Sequence, residues 1–222
     1  MNFSMAAEML MLEGIDNEIL TVSDDIASAP RESWEDRRGI AGIVLVYKIA
    51  GACAKAGLPL LEVKRVVRKA IEYTASLGVA FSSCVLPDVG KDVFSIGDDE
   101  MEFGMGIHGE PGIERRTMQT SAQIANHLVD AILDDLSIQP SDKIAVLVNG
   151  LGSTSREELY LFYHDVFERL KKHSVEVRKV LIGEFTTSLE MAGASLSVMK
   201  IDDELEQYLN ASANTPFANF NI

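Results

Sequence analysis

The sequence predicts an α/β protein in two pieces: the remnant of a doubly wound, parallel-sheet domain, followed by a second α/β domain on a mixed sheet. Three observations predict this class. Apolar residues recur at helical spacing in several segments, the nearly continuous apolar run at 143–148 is typical of a strand buried on both faces, and β-prone segments cluster towards the carboxyl end. A chain of 222 residues is long enough to bury a core in one or two domains.

The first piece, residues 1–77, is predicted to hold a helix, a strand and an αα-hairpin. Apolar residues fall at helical spacing over 2–14, where Gly14 can end the helix. A β-prone segment follows at 18–22. Amphipathic or small-residue patterns then predict helices over 39–56 and 61–75. The domain boundary is placed where this hairpin closes, near residue 77.

The second piece, residues 78–222, is predicted to alternate strands and helices before a hairpin-rich end. Strands are expected at 78–85, near 93–96 and leading into His108, and a buried strand at 143–148 lies between helices at 121–136 and 156–173. The last strands are expected at 175–182, 185–189 and 194–201, with a reversal at 190–193. A short helix at 202–209 and a tail with Pro216, Phe217 and Phe220, which we expect to dock on the core, complete the chain.

The charge of the chain argues against some classes of partner. Acidic residues outnumber basic ones 34 to 20, which gives a formal net charge of −14. Such a surface is repelled by phosphate backbones and anionic membranes, so we expect no nucleic-acid or membrane partner. The two cysteines, Cys53 and Cys84, fall in a predicted helix and a predicted buried strand, which favours a reducing compartment over a disulfide framework. A cytoplasmic protein is therefore expected.

His108 is the candidate catalytic residue. It lies in the segment 101–113, where Gly104, Gly106, Gly109 and Gly112 let the backbone adopt positive φ and approach a ligand closely. Glycines on both sides leave the ring free to project. Because a lone histidine is common, the residues alone leave a binding role and a structural or solvated role equally open.

Charged residues surround this histidine in the sequence. A carboxylate of Glu100, Glu102 or Glu110 that bonds one ring nitrogen would leave the other free to attack an electrophile, and the sequence does not say which of them does so. For Glu100 a solvated role is favoured. Arg115 and Arg116 follow the loop, and a salt-bridge role is favoured for them over contact with a substrate phosphate.

A second glycine-bearing turn, at 149–155, joins the buried strand to a helix. Its backbone N–H groups suit an anion, but Ser155 and Glu158 also have the spacing of a capping box, which we favour over phosphate contact. We assign His127 to structure, and His164 and His173 to solvated helix surface. No P-loop or glycine-rich kinase loop is present, so the chain is expected to bind no nucleotide cofactor itself, and no metal site is assigned.

The motif at 100–112, EMEFGMGIHGEPG, resembles the substrate-binding (K) subunit or domain of dihydroxyacetone kinases. The resemblance extends to RRGIAG at 37–42, LVNGLG at 147–152, IGEFTTSL at 182–189 and Thr215-Pro216, and so covers practically the whole chain. It implies that His108 holds dihydroxyacetone as a hemiaminal, with Gly106, Gly109 and Glu110 in the substrate-binding site. It also implies a homodimer, and a phosphoryl donor on a separate nucleotide-binding (L-type) kinase subunit or domain.

The resemblance covers only the carboxy-terminal portion of a K subunit. The family's GGGSGHEP-type loop, which grips the substrate, and its NYTGD-type motif, which supplies an acid/base aspartate, are absent from these 222 residues. We therefore expect the chain alone to be incomplete and inactive. Two hypotheses stay open: part of a kinase for dihydroxyacetone or a close relative such as erythrulose, or a truncated, non-catalytic paralogue that binds a ketose or pairs with a full-length subunit as a regulator.

Overall fold

A computed structural model describes residues 2–88, 90–216 and 218–220, and shows a mixed α/β fold. These residues form six helices and eight strands, with a 3₁₀ helix at Arg31–Asp36. The helices are α1 (Asn2–Leu12), α2 (Ile43–Lys55), α3 (Leu60–Glu72), α4 (Ser121–Asp135), α5 (Arg156–Lys172) and α6 (Asp203–Leu209). The strands are β1 (Thr74–Ala80), β2 (Val85–Leu86), β3 (Lys91–Asp92), β4 (Glu100–Phe103), β5 (Glu114–Thr117), β6 (Lys143–Gly150), β7 (Glu176–Gly183) and β8 (Gly193–Lys200).

Six of the strands form one sheet in the order β5-β4-β1-β8-β6-β7, and β2 and β3 form a separate small hairpin. Within the sheet β6 and β7 run parallel, whereas the other neighbouring pairs are antiparallel. The predicted mixed sheet is therefore confirmed. Its central strands alternate side chains between the two faces: Ile144, Val146 and Val148 of β6 pack under α4 and α5, while Ala145 and Leu147 pack under α2, α3 and α6.

The predicted domain boundary at residue 77 lies inside β1, because α3 ends at Glu72 and the strand starts at Thr74 rather than at residue 78. The helices of the first predicted piece and the strands of the second consequently share one core. Whether 1–77 and 78–222 are separate folding units stays a prediction.

Three predicted strands are wrong. Residues 18–22 have no regular secondary structure, and the chain meets the sheet at Asp25, which forms an isolated parallel bridge with Ser76. Residues 185–189 form no strand because the side chain of Asn149 takes the backbone N–H groups of Phe185 and Thr186. Residues 93–96 are irregular, and the short strands β2 and β3 precede them.

The carboxyl end is not the predicted hairpin. β8 inserts between β1 and β6 instead of pairing with β7, so the segment between β7 and β8 crosses the end of the sheet. The docked tail is confirmed at Phe220, which lies 6.0 Å from the ammonium of Lys48, and Lys48 also donates to the carbonyls of Tyr208 and Ala211. Phe217 lies outside the described residues.

The predicted opening helix is confirmed as α1, and Gly14 follows it at φ +74°. The helix contains no buried residue, although Phe3, Met9 and Leu12 are large and apolar. Cys53 and Cys84 are buried free thiols, but Cys84 lies between β1 and β2 rather than in the predicted strand, because β1 ends at Ala80.

Asn149 should be a structural residue rather than a ligand contact. It is fully buried, accepts from Phe185 and Thr186, and donates to the Thr186 carbonyl at 2.8 Å and the Ser195 hydroxyl at 3.2 Å. Asn149→Ala leaves several of these groups unpaired and should lower the free energy of unfolding by about 2–4 kcal/mol. Urea denaturation tests this, with the exposed Asn210→Ala as the control that should change stability by less than about 0.5 kcal/mol. Equal effects would contradict the assignment.

Candidate functional site

His108 lies at the tip of the β4–β5 hairpin, in the loop formed by residues 104–113. The loop closes on itself through two bonds, from the Gly106 N–H to the Glu110 carbonyl and from the Gly109 N–H to the Gly106 carbonyl, both 3.1 Å. Gly109 has φ +82°, which disfavours other residues. At Gly106 a Cβ would meet the Glu110 carboxylate, so a side chain there would displace that carboxylate from its place beside His108. The structure thus brings Gly106, His108, Gly109 and Glu110 into one tight turn.

The ring of His108 projects into solvent, with 81% of its side chain exposed. Its Nδ1 lies 3.4 Å from one carboxylate oxygen of Glu110, and its backbone N–H donates to the other oxygen at 3.0 Å. A carboxylate beside Nδ1 favours the tautomer that carries its proton there. The lone pair of Nε2 is then free to act as a nucleophile or acceptor.

Glu110 is held in its ionised form. Partial burial raises the pKa of its carboxyl group, but hydrogen bonds from its own N–H and from His108 outweigh burial and hold the pKa below its usual value. Of the three carboxylates that the sequence offered as partners for His108, Glu110 is the one that lies beside the ring.

The other two candidate carboxylates are engaged elsewhere. Glu102 is buried and accepts from the Gly112 N–H at 2.8 Å and from Arg115 at 2.9 Å, so it holds the end of the loop. Glu100 accepts from the Gly97 N–H at 3.0 Å. Both are tied to backbone and arginine groups rather than to the ring.

Arg115 and Arg116 have the favoured salt-bridge role. Arg115 pairs with Glu102, and Arg116 pairs with Glu114 at 2.5 Å while lying 5.1 Å from the centre of the Phe103 ring. Hydrogen bonds to these carboxylates raise the pKa of both guanidinium groups. The two side chains therefore brace the hairpin that carries His108.

A buried acidic turn beneath the loop was missed by sequence reasoning. Asp24 is fully buried and accepts from the N–H groups of Ile40 and Gly42, both at 2.8 Å. Asp25 is also buried and pairs with Arg38 at 2.7 Å, and Arg38 donates to the carbonyl of Gly104 at 3.0 Å. The two adjacent aspartates and the neighbouring arginines were visible in the sequence, but their proximity to the loop depends on tertiary packing.

Burial raises the pKa values of both aspartates. For Asp24 burial outweighs the hydrogen bonds that it accepts, and the pKa is raised. For Asp25 burial outweighs the attraction of Arg38 and raises the pKa to about 6. Two neighbouring acids thus titrate above their ordinary range immediately below the candidate site.

The other histidines lie away from this loop. His127 packs edge-on against Phe103 with ring centres 4.6 Å apart, and burial lowers its pKa, so its structural assignment is confirmed. His164 is exposed on α5, as predicted. His173 is also partly exposed, and its Nε2 lies 2.9 Å from the carboxylate of Asp130, which is itself partly exposed.

The turn at 149–155 forms the capping box that the sequence favoured. Ser155 accepts from the Glu158 N–H at 3.3 Å, and Glu158 in return accepts from the Ser155 N–H at 3.0 Å. Over the described ranges 2–88, 90–216 and 218–220, no group of three or more His, Cys, Asp or Glu side chains is placed to hold a metal ion. In the same part of the chain, none of the helices has the length and apolar character that crossing a membrane requires.

Comparison with known proteins identifies close relatives. The sequence profile of the Dak1 domain matches residues 1–217. The chain is 47% identical over 204 residues to the dihydroxyacetone-binding subunit DhaK of PTS-dependent dihydroxyacetone kinase 1 from Listeria innocua, an alignment that covers 92% of this chain and 62% of that protein. It is 44% identical over 216 residues to the D-erythrulose kinase of Mycolicibacterium smegmatis, covering 97% of this chain and 37% of the enzyme.

A solved structure supports the same relationship. The dihydroxyacetone kinase operon co-activator Dha-DhaQ matches with a TM-score of 0.86 and 34% identity, over 95% of this chain and 65% of that one. The chain therefore spans less than two thirds of the length of these relatives.

The buried aspartates give the stability of the protein a specific pH dependence. Because the pKa of Asp25 is about 6 in the fold against 3.8 ordinarily, its contribution to stability is present below about pH 4 and is lost as the pH rises through about 6. Asp25→Asn removes this titration, so the difference in unfolding free energy between wild type and variant should change by up to about 3 kcal/mol between pH 4 and 6.

Urea denaturation across this pH range measures the difference. Asp98→Asn, at an exposed turn position, is the control and should give a difference that is constant with pH. A constant difference for Asp25→Asn as well would contradict the raised pKa.

Proposed function

Because the chain belongs to the Dak1 domain family, we propose that it forms the ketose-binding part of a kinase for dihydroxyacetone or a close relative of it. The single observation that carries the proposal is the exposed imidazole of His108, set beside the ionised Glu110 at the tip of a glycine-rich hairpin loop. This arrangement supplies an accessible nucleophile with its second ring nitrogen already beside a carboxylate.

The proposed chemistry is reversible capture of the ketone. The lone pair of His108 Nε2 adds to the carbonyl carbon, the C=O π bond breaks, and the carbonyl oxygen takes a proton from water. The Nδ1 proton leaves to Glu110 or water, so that the ring ends neutral in a hemiaminal. Glycerol has no carbonyl and forms no such bond, so capture selects ketoses over polyols of the same size.

Phosphoryl transfer to a terminal hydroxyl of the captured ketose needs a donor held in line with that oxygen. We propose that a separate nucleotide-binding kinase subunit or domain, of the L type, presents the donor, either ATP or a phosphorylated partner. The Listeria relative is a dihydroxyacetone-binding subunit of a PTS-dependent kinase, which supports a division of roles between subunits. Assembly as a homodimer in the cytoplasm belongs to the same proposal.

The identity of the ketose has two candidates. The Listeria relative is named for dihydroxyacetone and the Mycolicibacterium relative for D-erythrulose, at similar identity to this chain. Both ketoses offer His108 the same hydroxymethyl ketone. A competition between them for the capture site ranks the two directly.

A second candidate function is regulation without turnover. The structural relative Dha-DhaQ is an operon co-activator, and its fold matches this chain with a TM-score of 0.86. A regulator of this kind would bind the ketose through the same loop. Formation of phosphorylated ketose in the presence of a donor subunit supports the kinase, whereas ketose binding without product supports the regulator.

His108→Ala should abolish ketose capture, because no other group in the loop replaces the imidazole nitrogen. Native mass spectrometry with dihydroxyacetone should show wild-type protein heavier by one ketose molecule and no such species for the variant. His164→Ala is the matched control, since His164 is an exposed histidine on α5, and it should behave as the wild type does. Absence of the adduct from wild-type protein would remove the capture role.

Glu110→Gln should weaken capture about tenfold, equivalent to about 1.4 kcal/mol. The amide keeps the shape of the side chain but loses the charge that favours a proton on Nδ1 of His108. Nitrogen-15 NMR of the ring should show the Nδ1-protonated tautomer losing population in the variant, in parallel with the weaker adduct.

Glu114→Gln is the control for this substitution, because Glu114 lies on the same hairpin but pairs with Arg116. An unchanged tautomer population in Glu110→Gln would contradict the orienting role of Glu110.

A further inference from the structure

Arg38 connects the buried acidic turn to the loop that carries His108. Its Nε donates to Asp25 at 2.9 Å and its Nη2 donates to the Gly104 carbonyl at 3.0 Å. A Cβ built on Gly106 would lie 2.9 Å from Nη1, so the guanidinium also lies against the backbone of Gly106. We propose that Arg38 is a positioning residue that fixes the His108 loop in the geometry required for ketose capture, with Asp25 as its anchor.

The anchor is itself rigid. The side chain of Asp25 is 1% exposed, and its second oxygen accepts from the Ala27 N–H at 3.0 Å. Around it the backbone is tied to β1 in both directions, since the Ser76 N–H donates to the Asp24 carbonyl and the Ile26 N–H donates to the Ser76 carbonyl. Arg38 therefore links the loop, through Asp25, to strand β1 in the middle of the sheet.

The loop needs such a tie because its tip is closed mainly by local turns. At its base the Gly104 N–H donates to the Gly78 carbonyl at 2.8 Å, and the Ile113 N–H donates to the Phe103 carbonyl at 2.8 Å. The bonds that join Gly106 to Glu110 and to Gly109 shape the turn but do not orient it relative to the sheet. The guanidinium of Arg38 can fix that orientation, because Nη2 donates to the Gly104 carbonyl and Nη1 lies against Gly106 while Nε is held by Asp25.

Arg37 provides a natural comparison within the same segment. It is more deeply buried than Arg38 and makes a two-pronged pair with Asp135 at the end of α4, at 2.9 and 2.6 Å, while its Nε donates to the Ala29 carbonyl. These contacts hold the backbone around Arg37 against the end of α4 and do not reach the His108 loop. Adjacent arginines thus have separable roles, one in stability and one in positioning.

The effect of Arg38 on ketose capture rests on the proposed function, whereas its effect on the loop does not. The experiment therefore measures loop mobility and adduct formation separately. Arg38→Lys keeps the charge but cannot bond Asp25 and Gly104 in the same fork geometry. Hydrogen exchange of the backbone N–H groups at 104–110 should become about tenfold faster, and ketose adduct formation should weaken about tenfold. Arg37→Lys should lower the thermal midpoint more than Arg38→Lys does, while leaving loop exchange and adduct formation as in the wild type.

Asp25→Asn is the second variant and should loosen the same loop N–H groups, because it weakens the anchor of Arg38. Loop exchange unchanged in both Arg38→Lys and Asp25→Asn would overturn the positioning role. Faster loop exchange with wild-type adduct formation in Arg38→Lys would overturn the link to capture. Wild-type protein that forms no adduct would defeat the proposed function, while the exchange measurement would still decide whether Arg38 positions the loop.

Discussion

The contact between Glu110 and His108 is the interaction on which the candidate site depends. One carboxylate receives the backbone N–H of His108 through one oxygen and faces its Nδ1 through the other. The same residue closes the turn through its carbonyl, which accepts from the Gly106 N–H. The shape of the loop and the orientation of the ring are therefore set together, and a side chain at position 106 would displace the carboxylate from the space that it occupies.

Beneath this loop the fold tolerates a concentration of buried charge. Placing Asp24 and Asp25 side by side away from water is unfavourable, and an isolated buried carboxylate costs several kcal/mol unless it is paired or hydrogen-bonded. Asp24 is compensated by two backbone N–H groups and Asp25 by Arg38. Replacing such a network with apolar residues is often neutral or stabilising in proteins, which makes stability a weak reason for its presence. A role in orienting the loop accounts for it better.

Much of the fold follows from local patterns in the sequence. The helices were predictable because their apolar residues repeat at helical spacing, as in α3, and the cap at Ser155 was predictable from its spacing to Glu158. The order of the strands in the sheet was not predictable, because β8 pairs with β1 and β6, which lie far from it in the sequence. The β-prone residues 185–189 were wrongly predicted as a strand, because the N–H groups of Phe185 and Thr186 donate to the side chain of Asn149 and not to a neighbouring strand. In the candidate site, the sequence was enough to single out the His108 loop, whereas the position of Glu110 rather than Glu102 beside the ring and the approach of Arg38 required the tertiary structure.

The proposed function depends on a covalent, reversible bond between the exposed imidazole of His108 and a ketose. It is tested most directly by carbon-13 NMR of dihydroxyacetone labelled at its carbonyl carbon, added to protein whose histidine rings carry nitrogen-15. We expect a new signal in the region of saturated carbon bonded to nitrogen and oxygen, coupled to the His108 ring and lost on dilution of the ketose. A carbonyl signal that stays unshifted, with no carbon–nitrogen coupling at saturating ketose, would contradict it.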